Sequence, residues 1–454
     1  MSTLAASTSA PPPAELTRSS PPSARDRVGS VAEIERRKLI AQAPLRVLAL
    51  ACLAGPLAFA IILKLQNGTP SDALFGVWVH QSGYAVSLVV LGFAANWGFP
   101  LIAGVLAGDL FASEDRHGTW KTLLTRSRSL RDVYAGKVLA ALTFALLLGL
   151  IVAVSSLAAG LVVVGSGSLV DFGGRPLSPA HLLLLVSVSW VICLGPVLAY
   201  TSLAVLVSVV TRSGIAGVLG PIVFALLTQL LALIGKGVIV HMLLIGTAFD
   251  AWHGLFVPHP FFGPLVVSLL VSGAWVAGPL AAAWAILRRR EFVAGTSARR
   301  GSWTIPARIT GGGVLLVALL AFASGWGPAG VTAHRLNASL LPEFRRLTLL
   351  QQDLLGHPIP ATAHYRILPV CNKRGAAPVG PGDWSCTMNV YIVLAQGQQP
   401  LTDTPVAYDV SVQSNGCYKA QSPPTFVGAP MIRDPRGRRV VNPLVVIYGC
   451  FNIL

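Results

Sequence analysis

The chain has 454 residues, of which 53% are hydrophobic and only 11% are charged, and its mean hydropathy is +0.66. Soluble domains carry about 25% charged residues, so this composition excludes an ordinary soluble protein and predicts a helical membrane protein with several spans. The net charge of +16 does not indicate nucleic-acid binding, because the basic residues flank apolar runs instead of forming one stripe.

The first 44 residues are rich in proline and serine and contain no long apolar run. This composition predicts a disordered cytoplasmic tail over residues 1–44. A secretory signal would have an apolar run near its start and a cleavage site after it. The first apolar run begins near Leu45 and no clear cleavage site follows, so we expect it to be retained as a membrane anchor.

Seven runs, including this first one, approach or exceed the roughly 20 apolar residues that cross a bilayer as a helix. The predicted spans are Leu45–Lys64, Gly83–Leu110, Val138–Val164, His181–Val210, Ile215–Gly235, Pro264–Leu287 and Gly311–Gly327. The first six form a predicted core over residues 45–290. A basic cytoplasmic linker, residues 291–310, separates this core from the segment with the seventh span, residues 311–328.

Lysine and arginine are concentrated in alternate loops, which fixes the expected orientation. Basic clusters precede span one and separate spans two and three, four and five, and six and seven, whereas Arg175 is the only basic residue between spans three and four. These clusters are expected in the cytoplasm. The N-terminus is then cytoplasmic, and residues 329–454 lie outside the membrane on the other side.

The cysteines agree with this topology. Four of the six lie in the predicted external tail, where disulfides persist: Cys371, Cys386, Cys417 and Cys450. Sequence order favours the pairs Cys371–Cys386 and Cys417–Cys450, although four cysteines allow three connectivities.

The tail shows a helical pattern over Asn337 to Leu355, followed by short alternating or apolar runs with turn residues between them. These runs are predicted strands: Tyr365–Val370, Thr387–Ala395, Val406–Val412 and Leu444–Ile447. The predicted fold is an all-α polytopic membrane protein, with six spans plus a seventh, that carries a small disulfide-bonded, β-rich extracytoplasmic domain at its C-terminal end.

The charged segment between spans two and three, residues 111–137, carries signals for local structure. Glu114 and Asp115 suit the positive N-terminal end of a helix, and Gly118-Thr119 interrupts that helix. Ser129 and Asp132 have the spacing of a capping box and predict the start of the helix that enters span three.

Between these signals, Thr119 is a candidate cap for a short helix, Trp120 to Thr125, which carries the apolar pair Leu123-Leu124. Such a helix across the membrane face would offer a small apolar knob to a groove in another protein. The simpler alternative is a basic loop that only fixes the topology.

The order of residues in this segment resembles the cytoplasmic coupling region of type 2 ABC exporter permeases. The resemblance marks as ATPase-coupling residues Glu114, Gly118, Thr119, Lys121, Leu123, Leu124, Arg128 and Lys137. Members of that family often have a proline between the leucine pair and the arginine. This chain has Thr125-Arg126-Ser127 there, so the exit from the short helix is expected to differ.

The resemblance implies a permease subunit in a bacterial plasma membrane that works as a dimer, with a second copy or with a sister permease. Its other expected partners are the lipid bilayer and a separate ABC ATPase subunit, which would dock on Thr119–Leu124 and bind ATP and magnesium. It also implies short helices dipping into the membrane over Gly237–Phe262, for which the alternative is an amphipathic segment on the surface.

The sequence contains neither a G-x-x-x-x-G-K-[ST] motif nor an H-E-x-x-H motif. We therefore expect no catalytic residues, no cofactor and no metal in this chain; His241, His253 and His259 lack the spacing of a metal site. The predicted spans have no ionisable residue near their middles, which argues against an ion-coupled carrier. The competing hypothesis is a non-transporting sensor or immunity protein whose external domain binds a ligand.

Overall fold

A computed structural model of the protein describes residues 23–66, 73–125, 129–172, 175–232, 243–257, 260, 262–290, 330–359, 364–375, 378–393, 403–413 and 416–451. The predicted basic linker and seventh span, residues 291–328, lie outside these described residues.

The membrane part is helical. Its helices are α1 (Ala24–Ala41), α2 (Ala43–Leu65), α3 (Gly83–Phe93), α4 (Phe99–Ala107), α5 (Ala112–His117), α6 (Trp120–Thr125), α7 (Leu130–Val163), α8 (Pro179–Thr211), α9 (Gly214–Ala232), α10 (Ile245–Ala248) and α11 (Gly263–Leu287). A π-helical turn, Ala94–Gly98, joins α3 to α4. Two 3₁₀ helices, Gly76–Trp78 and Phe249–Leu255, lie in connecting loops.

Among the described helices, five are long and apolar enough to cross a membrane: Ala43–Leu65, Gly83–His117, Leu130–Val163, Pro179–Thr211 and Gly263–Leu287. They coincide with five of the first six predicted spans. The predicted fifth span, Ile215–Gly235, corresponds to α9, whose apolar part is shorter. The count of six long spans in the core is therefore not confirmed.

The prediction of a disordered tail over residues 1–44 is wrong for its second half, because α1 occupies Ala24–Ala41. A capping box between Ser23 and Asp26 starts this helix. Glu33 forms ion pairs with Arg36 at 2.8 Å and Arg37 at 2.8 Å on its exposed side. Only a few apolar side chains of the segment, such as Val31 and Leu39, are buried against the protein, so composition did not reveal the helix.

Glycines allow close approach between helices at two places. A Cβ on Gly136 of α7 would lie 2.6 Å from the side chain of Val31, so α1 packs directly on the α7 backbone. A Cβ on Gly104 of α4 would lie 2.2 Å from the carbonyl oxygen of Val218 in α9. Substitution at either position would separate the helices.

The segment between α9 and α11 contains short buried helices where it is described. Side chains from neighbouring helices satisfy its backbone carbonyls: Cys193 donates to Phe249 at 3.6 Å, and Ser268 donates to Ala248 at 2.9 Å. Irregular backbone at membrane depth needs such protein cover. The short helices that the resemblance implies are present as α10 and the 3₁₀ helix that follows it, and their entry into the membrane stays a prediction.

The C-terminal part is a β-rich domain, as predicted. Helix α12 (Ala333–Leu354) begins after the capping residue Thr332 and packs against an antiparallel five-stranded sheet. The strands are β1 (His364–Lys373), β2 (Gly382–Val393), β3 (Asp403–Val412), β4 (Cys417–Gln421), β5 (Met431–Arg433), β6 (Arg439–Val441) and β7 (Val446–Cys450). The larger sheet has the order β1-β2-β3-β4-β7, and β5 pairs with β6. A short helix, α13 (Pro424–Val427), follows β4.

Both predicted disulfides are present, Cys371–Cys386 and Cys417–Cys450. Each joins residues that face each other across adjacent antiparallel strands, β1 with β2 and β4 with β7. Cys52 and Cys193 are free and buried among the membrane helices.

The C-terminal domain and the charged segment lie at opposite ends of the helical bundle. Tyr448 of the domain donates to the carbonyl of Ala73 at 3.2 Å, and Gln81 donates to the carbonyl of Arg439 at 3.4 Å. Ala73 and Gln81 belong to the α2–α3 loop, whereas the charged segment follows the far end of α4. This placement agrees with the relative topology that the basic loops and the cysteines predict.

Candidate functional site: the coupling segment

The described part of residues 111–137, here named the coupling segment after the family resemblance, forms a compact unit at the end of the bundle remote from the C-terminal domain. Helix α5 follows α4, Gly118-Thr119 forms a turn, α6 follows that turn, and α7 begins at Leu130. Ser129 caps α7 by accepting a hydrogen bond from the Asp132 amide at 3.1 Å, as predicted.

The start of α5 is fixed to α8. The Ser208 hydroxyl oxygen accepts hydrogen bonds from the amides of Phe111 and Ala112, both at 3.2 Å. The first amides of a helix have no partner within the helix, so this contact satisfies two of them. Helix α5 is thereby attached to the end of α8.

Glu114 lies at the centre of the unit and is 4% exposed. Its Oε1 accepts from the ammonium groups of Lys38 at 2.7 Å and Lys137 at 3.0 Å. Its Oε2 accepts from the Thr119 hydroxyl. The carboxylate therefore connects α1, α7 and the turn before α6.

Lys137 is fully buried, with 0% exposure. Its ammonium donates to Glu35 of α1 at 2.8 Å, to Glu114 at 3.0 Å and to the Leu110 carbonyl at 3.3 Å. A buried charge is tolerated only when it is paired and hydrogen-bonded, and these three acceptors match the three donors of an ammonium group.

Lys38 closes the cluster at its solvent side. Burial acts to lower the pKa of Lys38, but the hydrogen bond to Glu114 and the nearby carboxylates raise that pKa above its ordinary value. Lys38 therefore stays protonated. With Glu35, Glu114 and Lys137 it forms a cluster of two carboxylates and two ammonium groups, here named the ion cluster.

Asp115 provides a second set of contacts. It accepts from the indole of Trp120 in α6 at 2.9 Å and from Arg290, just after α11, at 3.0 Å. Trp120 in turn stacks on Phe111, with ring centroids 6.3 Å apart. These contacts attach α6 to α5 and to the end of α11.

Gly118 ends α5 in the left-handed region, with φ of 63°. Its amide donates to the Glu114 carbonyl, and the Thr119 amide donates to the same carbonyl at 3.2 Å. A Cβ at this position would meet no atom within 4 Å. Glycine is thus required for its backbone conformation and not for space.

Leu123 and Leu124 on α6 are half-buried, so the predicted apolar pair remains accessible. Lys121 lies on the same helix. Arg128 lies outside the described residues. The structure brings together Glu114, Thr119 and Lys137, and it places the leucine pair apart from them on the short helix.

Sequence reasoning missed the contribution of α1. Glu35 and Lys38 complete the ion cluster, and Arg27 pairs with Asp132 at 3.2 Å. Two local signals were available: the Ser23–Asp26 capping box and the spacing of Glu33 and Arg37, four positions apart. Neither signal identifies α5 and α7 as the partners of α1.

The long apolar helices define a multi-pass membrane protein that carries a folded, charged segment at one end. A family model described as ABC-2 family transporter protein matches residues 32–231. Residues 32–231 are therefore a permease domain of the ABC-2 type, the membrane component of a transporter. The match begins within α1, includes the whole coupling segment and ends in α9. No curated protein matches the chain.

Proposed function

We propose that this chain is the membrane-spanning permease subunit of an ATP-driven ABC exporter in a bacterial plasma membrane. It would form the translocation path as a dimer, with a second copy or a sister permease. A separate ABC ATPase would bind ATP and Mg²⁺ and dock on α6. The N-terminus and the coupling segment would face the cytoplasm, and the C-terminal domain would lie outside.

The observation that carries the proposal is the accessible Leu123-Leu124 pair on a short helix, α6, whose Trp120 is fixed to α5 by contacts with Asp115 and Phe111. Apolar side chains at the centre of an interface contribute most when they enter a desolvated pocket. A partner gains affinity when such a knob is already ordered, because little entropy is lost on binding.

The contacts of α5 with its neighbours would transmit a movement of α6 to several membrane helices. Helix α5 is bonded to α1 and α7 through the ion cluster, to α8 through Ser208, and to the end of α11 through Asp115. A displacement of α6 would reach α5 through the Trp120–Asp115 hydrogen bond. ATP-driven closure of the ATPase would thus move the ends of several spans together.

The test is co-purification of an ABC ATPase, from cells that make both proteins, with variants of the coupling segment. Leu124→Asp places a carboxylate at the proposed apolar contact, which costs several kcal/mol, so most of the ATPase should be lost. Leu349→Asp is the matched control, because Leu349 is a partly exposed leucine of α12 at the opposite end of the bundle.

Retention of the ATPase by Leu124→Asp at the level of Leu349→Asp would refute docking on α6. The segment would then serve only to fix the topology. The alternative of a non-transporting sensor is supported by no contact among the described residues of the coupling segment, and it predicts that no ATPase co-purifies with the unaltered chain.

A further inference from the structure

The C-terminal domain is held against the permease domain by a cluster of aromatic rings. The ring of Phe75 lies 5.2 Å from Phe172, 4.9 Å from Phe256 and 6.0 Å from Tyr448, measured between centroids. Three of these rings come from loops that connect the membrane helices and one from β7. The sheet face opposite α12 is thereby turned toward the ends of the membrane helices.

Three adjoining cavities extend from this sheet face toward α3, and only the lowest of them is lined by α3. The lower cavity has a volume of about 290 Å³, the middle cavity about 340 Å³ and the upper cavity about 420 Å³. Leu74, His253 and Gln413 line both the lower and the middle cavity, and Ser411 and Lys419 line both the middle and the upper cavity. The three cavities thus adjoin one another through shared walls and are together named the cleft; their volumes lie near the lower end of the range of ligand pockets, about 300–1,000 Å³.

The lower cavity lies along the membrane helix, and its walls are mainly apolar, with Asn96, Asp250, His253 and Gln413 as their polar members. Its walls include Leu88, Val89 and Phe93 of α3 together with Phe249 and Trp252 of the 3₁₀ helix. Ala95 and Asn96 of the π-helical turn also line it, and such turns are frequent at functional sites. Phe93 is 48% exposed, so this cavity opens toward the side of the bundle.

The upper cavity is polar and carries both signs of charge. Arg374 and Lys419 are its cations, and Asp383 and Asp409 are its anions. Arg374 and Asp409 form an ion pair with each other. Ser411 and Gln421 add neutral hydrogen-bonding groups on the same sheet face. Charges of both signs are therefore concentrated in the upper cavity, whereas Asp250 is the one carboxylate among the described wall residues of the lower cavity.

We propose that this cleft binds an amphiphile with a single acyl chain and a zwitterionic headgroup. The acyl chain would occupy the lower cavity, and the headgroup would extend past His253 and Gln413 to the charged residues of the upper cavity. The phosphate of such a headgroup pairs with Lys419 and Arg374, and its ammonium group pairs with Asp383 and Asp409.

The charge distribution selects this class over its relatives. An anionic headgroup would meet Asp383 and Asp409 without a cation of its own, and an unpaired like charge is disfavoured. A small polar solute would leave the apolar lower cavity unfilled. That the bound amphiphile is the cargo rests on the proposed transport function, whereas the binding site itself does not.

The test measures binding of three probes to the purified full-length chain in detergent. The probes share one fluorescent acyl chain and differ in headgroup: lysophosphatidylethanolamine is zwitterionic, lysophosphatidylglycerol is anionic and monoacylglycerol is neutral. The unaltered protein should bind the zwitterionic probe about tenfold more tightly than the other two, since each contact to a charged group is worth about that factor.

Two variants examine the two ends of the cleft. Gly92→Leu fills the lower cavity without a clash, because a Cβ on Gly92 meets no atom within 4 Å. It should weaken binding of all three probes. Gly278→Leu is its control, because Gly278 of α11 also has open space around it and lines none of the three cavities.

At the upper end, Lys419→Gln should remove only the preference for the zwitterionic probe. Its control is Arg366→Gln, because Arg366 is an exposed cation on β1, and this variant should keep the preference.

Equal affinity of the unaltered protein for the three probes, or preference for the anionic one, would overturn the proposal. So would equal effects of Gly92→Leu and Gly278→Leu, since binding would then reflect partition into the detergent. The assay contains no ATPase, so its failure leaves the proposed docking on α6 untouched, and loss of ATPase co-purification leaves this binding site untouched.

Discussion

Lys137 is the residue whose removal should most disturb the coupling segment. Replacing Lys137 with methionine keeps the length and apolar part of the side chain but removes the ammonium that pairs with Glu35 at 2.8 Å and Glu114 at 3.0 Å. Both carboxylates are nearly buried, at 5% and 4% exposure. After the change, only Lys38 of the ion cluster remains as a cation.

The magnitude follows from the burial of the pair. Removal of one partner from a buried ion pair costs about 3–5 kcal/mol, because a buried charge is left without compensation. A destabilisation of that size lowers the Tm of a domain of this size by on the order of 10 °C. Since the cluster links α1, α5 and α7, we also expect α6 to lose its fixed position and ATPase co-purification to fall.

The assay is thermal unfolding in detergent, together with ATPase co-purification. Lys64→Met is the matched control, because Lys64 is an exposed lysine near the opposite end of the bundle. The combination of Lys137→Met with Glu35→Gln and Glu114→Gln removes the uncompensated carboxylates and should recover part of the lost stability. A Tm of Lys137→Met no lower than that of Lys64→Met would refute the reasoning, because the cluster would then contribute nothing to the fold of the segment.

Three further predictions concern the turn, the C-terminal domain and the topology. Gly118→Ala should destabilise the coupling segment by about 1–2 kcal/mol, because a left-handed conformation costs other residues that much. Gly118→Asn should cost less. Equal ATPase co-purification by both variants and the unaltered chain would contradict this prediction. Burial raises the pKa of Glu343 from 4.5 to about 7, so the folded carboxyl keeps a proton that the unfolded one has lost between these pH values. The free energy of unfolding should therefore fall, by at most about 3 kcal/mol, as the pH rises from 4.5 to above 7. If the unfolding midpoint of Glu343→Gln drops between pH 5 and pH 8 by as much as that of the unaltered chain, the assignment is refuted. In intact cells an impermeant maleimide should label Arg366→Cys but not Thr122→Cys, and the opposite pattern would reverse the orientation.

Local signals in the sequence were enough for many elements. The long apolar runs located five membrane helices, because helix formation in a membrane depends on the residues of the span itself. Ser129 and Gly118 act as the sequence indicated, since capping and left-handed turns are set by neighbours within a few positions. The order of the C-terminal cysteines favoured the two disulfides that join adjacent strands.

Only the tertiary structure decided how these elements meet. Glu35 and Lys137 are 102 positions apart, and no local pattern indicates that they form an ion pair. The helix that carries Glu35 was missed because its stability depends on packing against α7 at Gly136, a contact that composition does not reveal. The position of the C-terminal domain depends likewise on contacts between aromatic rings that are far apart in the chain, such as Phe75 and Tyr448.

The sequence by itself therefore determined the membrane class, most of the spans, the short helix with its leucine pair and the disulfide-bonded C-terminal domain. The ion cluster, the attachment of α5 to four other helices and the cleft beneath the sheet were decided by the tertiary structure. The physical reason is one of range: hydropathy and capping act over one turn or one span, whereas buried charges and cavities depend on which distant segments pack together.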